Sequence, residues 1–143
     1  MWAQMNSYRT AIARTSPSVP AKYVIETLLP QLKFTSILDW GCGRGRDLRF
    51  YKEQGLICAG YDPYYSPGFP VDRYNFVTCS YVLNIINTYS ERKYCLQLIK
   101  NKLYSGGHLL ITIRPLKHIE KNSYKWRPFG DGYIPINFSS TKT

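Results

Sequence analysis

A chain of 143 residues, 44% of them hydrophobic and with a net charge of +10, is long enough for one domain with a real core. No apolar run reaches the roughly 18 residues that a membrane span needs, and residues 1–9 lack the apolar stretch of a secretory signal. A cytoplasmic protein without membrane contact is therefore expected. Four cysteines, Cys42, Cys58, Cys79 and Cys95, form no CxxC pair and share the chain with only two histidines. They read as structural thiols, with no metal site.

Three segments follow from pattern. Residues 1–35 form an N-terminal arm and a helix. The arm ends in Ser16-Pro17-Ser18-Val19-Pro20, where two close prolines argue for extended chain. Tyr23, Val24, Leu28, Leu29 and Leu32 then recur at helical spacing over residues 21–32, with Pro30 set to end or kink the helix.

The core spans residues 36–114. Ser36-Ile37-Leu38-Asp39-Trp40 reads as a buried strand that runs into a glycine turn. Residues 47–54 read as a helix closed by Gly55, and residues 56–61 and 74–80 as two further strands. Leu96, Ile99 and Leu103 place a helix over residues 91–103. Ser105-Gly106-Gly107 punctuates it before a fourth strand at 108–113. Strands alternating with helices imply a Rossmann-like α/β fold: an open, mostly parallel sheet with helices on both faces and ligands at the carboxyl ends of the strands. Residues 115–143 read as a basic, aromatic cap, irregular or with an antiparallel strand around residues 133–138.

The turn Gly41-Cys42-Gly43-Arg44-Gly45 between a strand and a helix lets the backbone approach a ligand closely, beside the free N–H groups of the helix end. Asp62 ends the second strand 19 residues beyond Gly43, where nucleotide-binding α/β folds hold ribose hydroxyls. The glycine spacing departs from the G-x-G-x-x-G of dinucleotide sites. Asp39, just before the glycines, repels a pyrophosphate but suits a cationic group such as the amino group of a methionine moiety. The charge pattern thus favours S-adenosylmethionine (SAM) over a nicotinamide cofactor.

Ile37-Leu38-Asp39-Trp40-Gly41-Cys42-Gly43-Arg44-Gly45-Arg46-Asp47 closely resembles motif I of class I SAM-dependent methyltransferases. Gly106-Gly107-His108-Leu109-Leu110-Ile111 resembles the turn into their fifth strand. The resemblance covers residues 36–114. It implies SAM as cofactor, with Asp39, Gly41, Cys42, Gly43, Arg44 and Gly45 near its amino-acid end and Asp62 on its ribose. Pro63 and Ser80 complete the candidate cofactor contacts. Arg9-Thr10-Ala11 with Arg14, Gly60-Tyr61-Asp62-Pro63-Tyr64, the segment from Ser80 to Ile86, and Gly130-Asp131-Gly132-Tyr133 resemble a narrower group. These are putative methyltransferases associated with DNA phosphorothioation systems, of which this chain looks like a short relative.

Two departures stand out. Only 11 residues separate Asp62 from Tyr74. A helical crossover alone needs about 10–12 residues, so one β-α unit after the second strand is predicted to be missing. Tyr64, Tyr65 and Phe69 then either offer a stacking surface or pack the shortened loop. The end of the third strand, Ser80-Tyr81-Val82-Leu83-Asn84, lacks the Pro-Pro-aromatic signature of base-amine methylation, and Cys79 lacks the preceding proline of base-carbon enzymes. Tyr81 and Asn84 are the candidates for positioning an acceptor, and His118 is a weaker candidate base.

Charge suggests the acceptor. Residues 36–75 carry five Lys/Arg against five acids, whereas residues 1–35 and 114–143 together carry ten against three. Basic flanks with Trp2, Tyr8, Tyr124, Trp126, Phe129 and Tyr133 suit DNA or RNA, with Arg9, Arg14, Lys121, Lys125 and Arg127 as phosphate contacts. The expected function is a SAM-dependent methyltransferase acting on nucleic acid or an acceptor associated with it. The alternative is a non-catalytic SAM- or nucleotide-binding module that regulates a larger partner. Homo-oligomerisation also stays open.

Overall fold

The computed structural model describes residues 15–115, 126–129 and 132–135. Ser18 caps the first helix, its Oγ accepting from Ala21 N at 3.3 Å. Helix α1 (Val19–Tyr23) runs through a π-helical turn (Val24–Leu28) into α2 (Leu29–Leu32). Pro30 explains the π turn. It lacks an N–H, so the ladder widens just before it, and Leu29 N donates to Val24 O five residues back. The expected kink is thus absorbed by one wide turn.

Four strands form one parallel sheet in the order β2-β1-β3-β4: β1 (Ser36–Trp40), β2 (Ile57–Tyr61), β3 (Tyr74–Ser80) and β4 (Leu103–Thr112). β1 lies at the centre, and all five of its residues are buried. That fits its near-continuous apolar run. Ile37 and Phe76 face α1 and helix α3 (Arg46–Glu53), packing with Ala21, Val24 and Tyr51. Leu38, Trp40, Val77 and Cys79 face helix α4 (Tyr89–Lys100), packing with Cys95 and Ile99. Helices therefore cover both faces, as expected.

The short span after β2 holds no further strand. Asp62 and Ser66 bond each other's backbone in a tight loop, and β2 remains a sheet edge with Ile57 71% exposed. Phe69 fills the space by packing edge-on against Trp40 and Tyr61, with Lys102 over its ring at 4.7 Å. Lys102 also donates to Pro70 O. Of the three candidate stacking rings, Phe69 thus packs the loop.

Two sequence expectations shift. Helix α4 ends at Lys100, and Leu103 already opens β4. Ser105-Gly106-Gly107 does not precede that strand but bulges within it. The register passes from Tyr74↔Leu103 to Phe76↔His108, so β4 carries extra residues against β3. A side chain at Gly107 would meet Asn75 O and Tyr104 O at 2.9 Å. Beyond the sheet, β5 (Trp126–Phe129) and β6 (Gly132–Pro135) form an antiparallel hairpin, slightly ahead of the expected position. The backbone of β6 lies against the 3-10 turn Leu83–Ile85 that follows β3. No helix among the described residues is long and apolar enough to cross a membrane.

Candidate cofactor and acceptor site

Gly41, Gly43 and Gly45 all take left-handed φ values, 84°, 53° and 81°. Non-glycine residues resist that backbone, which is why the turn alternates glycines. The turn is tied to β2: Gly41 N and Cys42 N both donate to Tyr61 O, at 2.7 and 3.0 Å. Cys42 tucks its side chain beneath the turn, and burial, then Asp39 and Asp62, push its thiol up to about 12. It is a packing residue, not a nucleophile. Arg44 reaches over the Tyr65 ring at 5.4 Å, and these two border a cleft of about 430 Å³ with Cys42, Leu48 and Ser66. Tyr64 stands edge-on to Tyr65 and is 58% exposed.

Gly60 is the floor beneath Cys42. A Cβ there would lie 2.7 Å from Cys42 Sγ and 3.1 Å from Leu48 Cδ2. Gly60→Ala is therefore expected to displace the turn, lowering stability by about 1–3 kcal/mol. Denaturant melts of Gly60→Ala with and without Cys42→Ala check the cause. Truncating Cys42 should recover part of the loss, and no recovery would place the strain elsewhere.

Asp39 is buried at the end of β1 and accepts from Thr78 Oγ1 at 3.1 Å. Burial, then the negative charge of Asp47, raises its carboxyl to about 7. Thr78 opposes the shift and Asp62 adds to it. Asp62, also buried, has both oxygens engaged: Oδ2 accepts from Gly43 N at 3.0 Å, and Oδ1 from Tyr64 N and Tyr65 N at 2.9 and 3.0 Å. The carboxylate thus clamps the glycine turn to the loop after β2. One of its roughly four acceptor positions remains for a ligand hydroxyl. Pro63 is half-buried beside it, and Ser80 is half-buried at the end of β3.

Thr78 was not singled out by sequence reasoning. Its signal was available as the one hydroxyl inside the apolar run Phe76-Val77-Thr78-Cys79. Asp47 was also missed. Its carboxylate accepts from Ser18 N at 2.8 Å and Ser18 Oγ at 2.6 Å, while Arg46 Nε donates to Thr15 O at 3.2 Å. The start of α3 therefore anchors the end of the N-terminal arm beside the glycine turn.

Past β3, Tyr81 takes a left-handed φ of 60°. Lys33, the other non-glycine residue with positive φ among those described, is a helix C-cap, an ordinary place for it. Tyr81 has no such local excuse. An aromatic residue held there costs about 1–3 kcal/mol and marks functional sites. Tyr81 N donates to Thr112 O at 2.7 Å, and Arg114 lies over its ring at 4.5 Å. Asn84 sits on the 3-10 turn, with its Oδ1 buried and lacking a hydrogen-bond partner among the described residues. Cys79 and Cys95 are free thiols that meet in the core, and their hydrogen bond, then burial, raises the Cys79 thiol well above the usual range.

The structure therefore brings Asp39, the glycine turn, Asp62, Ser80 and Tyr81 to the carboxyl ends of β1, β2 and β3. Arg9, Arg14, Lys121, Lys125 and His118 lie outside the described residues, and for Arg127 only the backbone, in β5, is described.

Among solved structures, the N-methyltransferase NodS from Bradyrhizobium japonicum WM9, in complex with S-adenosyl-L-homocysteine, is similar to this chain. The identity is 13%, 87% of each chain is covered, and the TM-score is 0.45. No curated protein matches the chain. A methyltransferase-domain family matches residues 2–131, nearly the whole sequence. The chain, with its glycine turn between β1 and α3 and its acid at the end of β2, belongs to the methyltransferase-domain family.

Proposed function

We propose that this domain transfers a methyl group from SAM to a nucleic acid or to an acceptor carried by one. SAM is the cofactor. The residues fit a cation: burial and the negative charges of Asp47 and Asp62 raise the Asp39 carboxyl to about 7, and a buried carboxylate so raised is relieved by a positive partner. When bound, SAM supplies a methyl group on a sulfonium sulfur, open to an in-line nucleophile. Asp39 would hold its ammonium group, the glycine turn its amino-acid end, and Asp62 would offer its remaining acceptor position to the ribose. Ser80 and Tyr81 border the acceptor side.

The nucleic-acid part of the reading rests on where the basic flanks attach. The N-terminal arm is anchored at Asp47, beside the glycine turn, and the C-terminal hairpin lies against the turn after β3. The end of the arm and the hairpin thus both lie at the carboxyl edge of the sheet, whereas Lys33 stands before the amino end of β1; residues 1–35 and 114–143 together carry ten Lys/Arg against three acids. The resemblance to phosphorothioation-associated methyltransferases makes DNA the first acceptor to try.

Incubation with methyl-labelled SAM and DNA or RNA tests turnover. SAM binding without label transfer would return the domain to the binding-module reading. For the partner, about five phosphate contacts give a slope near −3.5 in log affinity against log salt for single strands. Reversing charge at Arg14 and Lys125 should flatten that slope by about one unit or more. Absence of DNA or RNA binding by the full chain at low salt refutes the nucleic-acid acceptor.

A further inference from the structure

Thr78 interrupts an apolar strand with a hydroxyl, and the sheet places that hydroxyl against one carboxyl group. In the parallel register of β1 and β3, Thr78 lies opposite Asp39, and the two residues are only 1% and 5% exposed. Thr78 Oγ1 donates to Asp39 Oδ1 at 3.1 Å, with Leu38 O at a longer 3.5 Å. A hydroxyl has one proton to give, and the carboxylate is both the nearer and the stronger acceptor.

The other surroundings of Asp39 work against its ionisation. Burial is the largest cause, the negative charge of Asp47 on α3 comes next, and that of Asp62, just past β2, adds to them. The Thr78 hydroxyl acts the other way, because it donates to the charged form. The remaining titratable neighbours are the Tyr51 phenol on α3 and the thiols of Cys42, Cys58 and Cys79. All four are raised above their ordinary values and stay neutral near pH 7.

An ammonium group pairs with a carboxylate and gains far less from a neutral carboxylic acid. We infer that Thr78 is a positioning residue of the cofactor site: its hydroxyl, given to Asp39 Oδ1, keeps that side chain in the charged form with which the ammonium group of SAM pairs. The inference rests on the reading of Asp39 as the ammonium partner. Thr78 acts through Asp39 and has no need to touch the cofactor.

The full chain carrying Thr78→Val, which keeps the shape and removes the hydroxyl, is titrated with SAM by calorimetry from pH 6 to pH 9. The wild type is titrated alongside, so that the ratio of the two affinities cancels any titration of SAM itself. Loss of one hydrogen bond to the carboxylate should move the Asp39 midpoint up by about one pH unit. The variant should then bind about tenfold more weakly at pH 6, about fivefold at pH 7 and about equally at pH 9. Thr78→Ser, which keeps the hydroxyl, should follow the wild type at every pH. Thr78→Ala should repeat the profile of Thr78→Val, so that a fold lost to one substitution leaves the other to decide. The midpoint is also read directly, from the carbon-13 signal of the Asp39 carboxyl in the ligand-free proteins. A midpoint that stays in place without the hydroxyl overturns the inference, as does a loss of affinity that is equal at all pH values. A midpoint that moves while SAM affinity does not change overturns the broader reading instead, that Asp39 pairs with the ammonium group.

Discussion

Asp39→Asn is expected to make the protein more stable above pH 7 while weakening SAM binding. The Asp39 carboxyl is raised from 3.8 to about 7, mainly by burial. Between about pH 4 and pH 7 the folded protein therefore holds a proton that the unfolded chain releases, and its stability falls as pH rises through that window. Above pH 7 the buried ionised carboxylate costs about 4 kcal/mol, from about three pKa steps of 1.36 kcal/mol each. Asparagine cannot ionise, and its Oδ1 still accepts from Thr78 Oγ1. Thermal melts of the two proteins should coincide near pH 4 and diverge by several degrees at pH 8, with the variant higher. SAM affinity of the wild type should rise with pH through 7, because a cationic ligand favours the ionised carboxylate. The variant should show weaker and nearly pH-independent binding. Parallel stability curves from pH 4 to 8 would remove Asp39 as a strained ligand group.

The second large effect is expected at Asp62, where two substitutions separate two roles. Asp62→Ala removes the acceptor for Gly43 N, Tyr64 N and Tyr65 N together. Leaving three backbone donors without that partner should lower stability by about 2–4 kcal/mol, and SAM binding should weaken more than tenfold. Asp62→Asn is more selective. Its Oδ1 can still serve Tyr64 N and Tyr65 N, but an amide nitrogen then faces Gly43 N, donor against donor. Most of the stability should remain while SAM affinity drops, as read by denaturant melts and calorimetry. Wild-type SAM affinity in Asp62→Asn would show that the clamp on the glycine turn does not shape the cofactor site.

Much of this site was legible without coordinates, because its signals are local. Alternating glycines after an apolar strand specify a left-handed turn, and Gly41, Gly43 and Gly45 adopt one. The absent β-α unit was legible from chain length alone, since the span from Asp62 to Tyr74 cannot hold a crossover helix and a strand. Boundaries were less legible where two local patterns overlap. Leu103 continues the helical spacing of Leu96 and Ile99, yet pairing with Tyr74 places it in β4. The Gly-Gly pair reads as a turn, and only strand pairing makes it a bulge.

By itself, then, the sequence determined the element types, the missing unit, the glycine turn and the acids at its edge. These depend on neighbours a few residues apart and on how far a chain can reach. Tertiary structure alone decided which partners those groups take. Thr78 meets Asp39 from 39 residues away, Asp47 meets Ser18 from 29, and Arg114 finds the ring of Tyr81 across two strand ends. Sheet register sets such contacts. A shift of one residue would turn Thr78 to the opposite face and leave Asp39 buried without its hydroxyl.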